Sequence, residues 1–118
     1  MKNEAFKDKV VVVTGGAQGI GHCIAQEFEK NGARVYIIDK QEGPHYVGDI
    51  GRREVLEAFT RHVVSREGHI DILVNNALPI MKGLDECTWD DFQYAMSVGV
   101  TAPFYLTKLM APHFAQGA

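Results

Sequence analysis

A glycine-rich turn stands between a β-branched run and an amphipathic segment near the start of the chain. Residues 9–14 read KVVVVT without polar alternation, which is typical of a strand buried on both faces of a parallel sheet. Residues 15–21 follow with the glycine spacing Gly-x-x-x-Gly-x-Gly, and apolar residues then recur at helical spacing. The first amides of a helix are unpaired and carry partial positive charge. The order of strand, glycine turn and helix therefore predicts a phosphate-binding turn.

The rest of the chain continues the alternation of strands and helices. Gly32 and Gly68 are expected to end two of the helices, because glycine accepts a left-handed backbone. The patterns predict strands at residues 33–39, 45–49 and 70–75, helices at residues 54–66 and 92–114, and a loop at residues 77–87. Strands that alternate with helices indicate a doubly wound α/β fold with a parallel sheet. We expect a single domain over residues 1–118.

The last predicted helix has a clear start and two interruptions. Thr88 and Asp91 have the spacing of a capping box, in which a hydroxyl and a carboxylate satisfy free amides at a helix N-terminus. Trp89, in the first turn, is interpreted as a packing anchor. Pro103 and Pro112 are expected to interrupt the helix, because proline lacks an amide hydrogen.

Asp39 ends the second predicted strand and is the candidate ribose-binding acid. It stands 18 residues after Gly21 (position 39 against position 21), near the spacing expected for a carboxylate that accepts hydrogen bonds from the adenosine ribose. Such a carboxylate repels a 2′-phosphate, so the sequence favours NAD over NADP. A solvated residue at the end of a strand is the alternative interpretation of Asp39.

Composition narrows the class of protein further. The net charge is −3 and the basic residues are scattered, so we expect no nucleic-acid partner. The longest apolar run, residues 10–13, is too short to span a membrane. Cys23 and Cys87 lack metal-ligand spacing and the histidines are unpaired, so we expect no metal site. Two thiols and a polar N-terminus favour a cytoplasmic location.

Four segments resemble the short-chain dehydrogenase/reductase family. Residues 14–21 (TGGAQGIG) are similar to its fingerprint, residues 49–50 to its acidic-apolar pair, residues 71–77 (DILVNNA) to its fourth strand, and residues 101–104 (TAPF) to a helix start. The resemblance implies a Rossmann-like three-layer fold and hydride transfer between a nicotinamide cofactor and an alcohol or carbonyl substrate. The implied cofactor-binding residues are Gly15, Gln18, Gly19, Ile20, Gly21, Asp39, Asp49, Ile50, Asn76 and Ala77.

Three departures from the family pattern concern the catalytic end. Leu78 replaces a glycine beside the expected nicotinamide position, and Gly99 occupies the position of the catalytic asparagine. No catalytic Tyr-x-x-x-Lys is present, because Tyr36 and Lys40 match the letters inside a predicted strand, where that spacing does not form a helical turn. We therefore expect the first four strands of a truncated domain, with no catalytic residue. Alone, such a chain is expected to bind cofactor weakly and to be inactive.

Two other functions remain open from the sequence. A non-catalytic nucleotide-binding module is favoured by Leu78, Gly99 and the missing tyrosine. A self-associating structural module is favoured by an expected free sheet edge beside an apolar helix. The same apolar helix predicts a homo-oligomer for the full-length protein.

Overall fold

The computed structural model describes residues 4–118. Strands and helices alternate along this part of the chain, as the sequence predicts. The strands are β1 (Val10–Thr14), β2 (Arg34–Asp39), β3 (Tyr46–Val47) and β4 (Ile72–Val74). The α-helices are α1 (Gly19–Lys30), α2 (Arg53–Glu67), α3 (Trp89–Met96) and α4 (Ala102–Met110). A π-helical turn (Ser97–Thr101) joins α3 to α4, and a 3₁₀ turn (Ala111–His113) follows α4.

The strands form one parallel sheet in the order β3-β2-β1-β4. β1 lies at its centre, where Val12 pairs with Tyr36 of β2 on one side and with Leu73 of β4 on the other. This position explains the unbroken valine run, because a central parallel strand is covered on both faces. The predicted doubly wound fold is confirmed.

Two apolar layers cover the two faces of the sheet. Side chains alternate across a strand, so Val10 and Val12 face one layer and Val11 and Val13 the other. The larger layer contains Leu56, Phe59 and Val63 of α2 and Leu106 and Met110 of α4. The smaller layer contains Ala25, packed with Ile24 and Phe28 of α1. Helix α1 therefore lies on one face of the sheet, and α2 and α4 lie on the other.

Two predicted strands are shorter in the structure than the sequence suggested. The third covers only Tyr46–Val47 and the fourth only Ile72–Val74. Ile70, predicted to lie in the fourth strand, instead forms an isolated parallel bridge with Phe114. Its amide donates to the His113 carbonyl at 2.9 Å. Ile70 is fully buried, so the apolar pattern of residues 70–75 extends beyond the β4 ladder because it records burial as well as pairing.

The last helix begins as predicted but is interrupted earlier. Thr88 Oγ1 accepts from the Asp91 amide, and the Asp91 carboxylate accepts from the Thr88 amide, so both halves of the capping box form. The helix widens into the π turn before Pro103, which then lies in the first turn of α4. The interpretation of Trp89 as a packing anchor is wrong, since the residue is 78% exposed.

Candidate functional site

The glycine turn after β1 is shaped by two glycines that have no room for a side chain. Gly15 has φ +67°, and a Cβ there would lie 2.8 Å from the Ala77 Cα. A Cβ on Gly21 would lie 2.4 Å from both the Asn76 Nδ2 and the Gly15 carbonyl oxygen. Glycine at these positions lets α1 and the segment after β4 approach the turn closely. The turn therefore brings backbone from three parts of the chain to the carboxyl edge of β1.

The N-terminus of α1 opens at this edge. Its N-cap residue, Gln18, makes no side-chain capping bond within residues 4–118, and no acidic residue stands in the first turn. The first amides of the helix are therefore available as donors, and the helix dipole favours an anion there. This arrangement suits a phosphate group.

Thr14 and Asn76 fasten the glycine turn to the segment after β4. The Thr14 Oγ1 accepts from the backbone amides of Asn76 at 3.1 Å and Ala77 at 3.0 Å. The Asn76 Nδ2 donates to the carbonyl oxygens of Thr14 at 3.2 Å and Gly15 at 3.1 Å. These hydrogen bonds join the carboxyl ends of the adjacent strands β1 and β4 and hold the two segments that follow them in a fixed relation.

Asp39 points from the end of β2 toward the glycine turn. Its Oδ2 accepts from the Ala17 amide at 3.1 Å and its Oδ1 from the Gln41 amide at 3.0 Å. Each carboxylate oxygen retains further acceptor capacity. The carboxylate is therefore oriented by backbone donors and can still accept from a ligand hydroxyl.

Asp49, Tyr94 and Lys40 form a polar group at the far side of the same edge. The Tyr94 hydroxyl donates to the Asp49 carboxylate, with its oxygen 2.9 Å from Oδ1 and 3.0 Å from Oδ2. The Lys40 Nζ lies 5.5 Å from the centre of the Tyr94 ring, within cation–π range. Burial, and next the bond to Asp49, raise the pKa of Tyr94 above its usual range. The phenol thus stays protonated as a donor.

The glycine turn, Asp39, Asn76 and the group of Asp49, Tyr94 and Lys40 line one cleft of about 780 Å³ at the carboxyl edge of the sheet. Every cofactor-binding residue implied by the sequence lines it: Gly15, Gln18, Gly19, Ile20, Gly21, Asp39, Asp49, Ile50, Asn76 and Ala77. Further lining residues, outside the set that the sequence implied, are Ile38, Lys40, Gln41, Gly48, Pro79, Ile80, Lys82, Asp91, Tyr94 and Val98. Ile38, Lys40 and Gln41 lie at or just beyond the end of β2, and Gly48 follows β3. The other residues of this set lie in the loop after Ala77, on α3 or in the π turn, outside any phosphate-binding motif.

The two departures at the expected nicotinamide end have distinct surroundings. Leu78 lines the cleft and is 85% exposed. Gly99 lies within the π turn, where a Cβ would stand 3.3 Å from the Cδ and Cγ of Pro79. Glycine at position 99 therefore lets the loop after β4 pack against the π turn.

The Tyr36–Lys40 pair, a metal site and a membrane-spanning helix were also considered from the sequence. Tyr36 lies in β2, and its hydroxyl donates to the Glu67 Oε2 at 2.7 Å, so it does not face Lys40 as a catalytic pair. Across residues 4–118 no group of three or more His, Cys, Asp or Glu side chains is placed to hold a metal ion. In the same part of the chain, no helix has the length and apolar character needed to cross a membrane.

A parallel sheet with a helix on one face, two on the other and a glycine turn after its central strand is a Rossmann-like architecture. The family model for short chain dehydrogenase matches residues 9–118, and the chain belongs to that family. The resemblance seen in the sequence is therefore confirmed.

Individual relatives agree with this assignment. The chain is 37% identical to momilactone A synthase of Oryza sativa subsp. japonica, over 88% of this chain and 46% of the relative. It is 34% identical to L-fucose dehydrogenase of Mus musculus, over 92% of this chain and 45% of the relative. A metagenomic short-chain oxidoreductase solved in complex with NADP superposes with a TM-score of 0.83 and 26% identity, over 92% and 56% of the two chains. The chain thus spans about half the length of the curated relatives it matches.

Proposed function

We propose that the cleft binds a nicotinamide dinucleotide. The observation that carries the proposal is the convergence of the glycine turn, Asp39, Asp49 and Asn76 on one cleft, although they come from separate segments. The residues fit the ligand, because the uncapped amides of α1 suit a pyrophosphate and Asp39 suits a ribose diol. Asp49 and Ile50 would contact the adenine, and Ala77 would lie toward the nicotinamide.

NAD is the preferred cofactor in this proposal. The Asp39 carboxylate, held by the Ala17 and Gln41 amides, retains acceptor capacity for a ribose hydroxyl but repels a 2′-phosphate. Lys40 also lines the cleft, but its ammonium lies over the Tyr94 ring. The metagenomic relative is described with NADP, so the NAD preference of this chain depends on Asp39.

For the whole protein we propose an oxidoreductase that transfers hydride between the nicotinamide and an alcohol or carbonyl group of a small substrate. The bound nicotinamide would supply the hydride donor or acceptor. This chain would contribute the cofactor-binding half, fixing the dinucleotide against the turn and excluding water beneath it. By itself it would bind cofactor weakly and be inactive, because Gly99 offers no side chain for proton transfer.

Location and assembly complete the proposal. A cytoplasmic location is supported by Cys23 and Cys87, which form no disulfide within residues 4–118. A homo-oligomer is supported by exposed apolar side chains on α3 and α4, such as Phe92 and Phe104.

A non-catalytic nucleotide-binding module is the second candidate. The contact between Pro79 and Gly99 favours it, because the loop packs where a catalytic side chain would otherwise project. A hydride-transfer assay separates the two candidates. Turnover of an alcohol or carbonyl by a protein containing this chain supports the first, and NAD binding without turnover in the complete protein supports the second.

Calorimetric titration with NAD and NADP tests the cofactor assignment directly. We expect NAD to bind the chain more tightly by at least about tenfold, or 1.4 kcal/mol. The variant D39S removes the charge but keeps an acceptor, so the preference should fall to near unity. D85S changes an acidic residue in the loop before α3 that does not line the cleft and serves as the control. An unchanged preference in D39S would show that Asp39 does not read the ribose.

A further inference from the structure

Tyr94 joins three elements at the adenosine side of the cleft. It lies on α3, its hydroxyl binds the Asp49 carboxylate beyond β3, and its ring faces the Lys40 ammonium beyond β2. A Cβ on Gly51 would approach the Tyr94 ring edge to 3.0 Å, so the ring is also closely packed against the loop after Asp49. The tyrosine is thus held by several groups that line or border the site.

The hydroxyl determines how the Asp49 carboxylate is presented. The Asp49 Oδ1 also accepts from the Gly51 amide at 2.9 Å. With the tyrosine proton shared between the two oxygens, the carboxylate has a fixed plane and keeps acceptor capacity on Oδ2. A preoriented acceptor binds a donor more tightly than a mobile one, because less rotational freedom is lost on binding. The exocyclic amine of adenine is such a donor, whereas hypoxanthine carries an oxygen at that position.

We propose that Tyr94 is a positioning residue that makes the site selective for adenine by fixing the acceptor geometry of Asp49. The inference rests on the proposed function and extends it to a residue outside every family motif in the sequence. The ring has a separate task, which is to hold the Lys40 ammonium over its face. Hydroxyl and ring can therefore be tested by different substitutions.

The experiment compares NAD with nicotinamide hypoxanthine dinucleotide, which differ at the exocyclic amine of the base. Calorimetry on the 118-residue chain gives the ratio of the two dissociation constants. The variant Y94F removes the hydroxyl and keeps the ring over which Lys40 lies. We expect the unsubstituted chain to prefer NAD by about tenfold and Y94F to reduce that preference to about twofold, a roughly fivefold change that matches the net contribution of an ordinary hydrogen bond.

Tyr105 provides a matched control. Its hydroxyl donates to the Glu57 carboxylate at 2.7 Å, and Arg53 lies 5.3 Å from its ring centre, so its surroundings parallel those of Tyr94. It does not line the cleft. Y105F should therefore retain the tenfold adenine preference within error. Circular dichroism of both variants verifies that each is folded.

The ring is tested with Y94L, which releases Lys40. We expect the NAD-to-NADP ratio to fall by about threefold in Y94L and to stay unchanged in Y94F, because only Y94L frees a positive charge near the ribose. A merely structural role of Tyr94 would weaken all dinucleotides equally and leave both ratios unchanged.

The outcomes are distinct. If the unsubstituted chain binds neither dinucleotide, the proposed function fails and this inference falls with it. If it prefers NAD over the hypoxanthine analogue and Y94F keeps the same preference, the inference alone is overturned. Equal binding of both analogues by the unsubstituted chain overturns the inference as well, because Asp49 then does not read the base.

Discussion

The hydroxyl of Thr14 offers a sensitive test of how the cleft is built. In T14V the shape is retained, but the backbone amides of Asn76 and Ala77 lose their acceptor. Thr14 is 2% exposed, so water does not readily replace the hydroxyl. Each amide left without a partner at a partly buried site costs about 1 kcal/mol, giving a loss of about 2 kcal/mol in the free energy of unfolding. For a domain of this size the melting temperature should fall by about 8 °C.

Urea unfolding followed by circular dichroism measures this loss, and T60V is the matched control. The Thr60 hydroxyl is also buried, but it donates to the Leu56 carbonyl at 2.9 Å within α2. Removing that donor leaves no amide unpaired, so T60V should change stability by less than about 0.5 kcal/mol. Equal effects of T14V and T60V, or a neutral T14V, would refute the argument that the hydroxyl fastens two strand ends.

The remaining predictions concern other groups near the cleft. G21A places a Cβ 2.4 Å from a backbone carbonyl oxygen and should lower the free energy of unfolding in urea by about 1–3 kcal/mol, whereas G83A, where a Cβ meets nothing within 4 Å, should not. The Asp91 pKa lies below its ordinary 3.8, because of the bond from the Thr88 amide and then Lys82. The ionised Asp91 carboxylate therefore stabilises the fold at pH values above 3.8, and this stabilisation is lost as pH falls through the lowered pKa of the folded state. The free energies of unfolding of D91N and the unsubstituted chain, measured in urea, should therefore converge in acid. G99N should destabilise the unsubstituted chain but should have little effect when introduced into P79A, because the added side chain meets the Pro79 ring. Equal losses of stability in both backgrounds, measured by thermal unfolding, would contradict this.

The sequence predicted the parts of the cleft that follow from local pattern. The valine run, the glycine spacing and Asp39 each lie within or beside one strand, so their position at the carboxyl edge follows from the parallel topology. Tyr94 could not be found in this way, because it reaches Asp49 across 45 positions and its role depends on the packing of α3. The sequence did single out Gly99, but it could not predict that the Pro79 ring packs against this position, because Pro79 lies in a distant loop. The π turn was also missed, since the hydrophobic pattern of a helix does not record a wider turn.

We propose that a dinucleotide lies against the turn after β1, with its pyrophosphate at the N-terminus of α1. Titrating the ¹⁵N-labelled chain with NAD, followed by amide chemical shifts, tests it most directly and detects weak binding. We expect saturable shifts at Gly19, Ile20, Asp39 and Asn76, and none at Arg34, which lies at the opposite end of β2. Absence of shifts at millimolar NAD, or shifts centred away from the glycine turn, would contradict it.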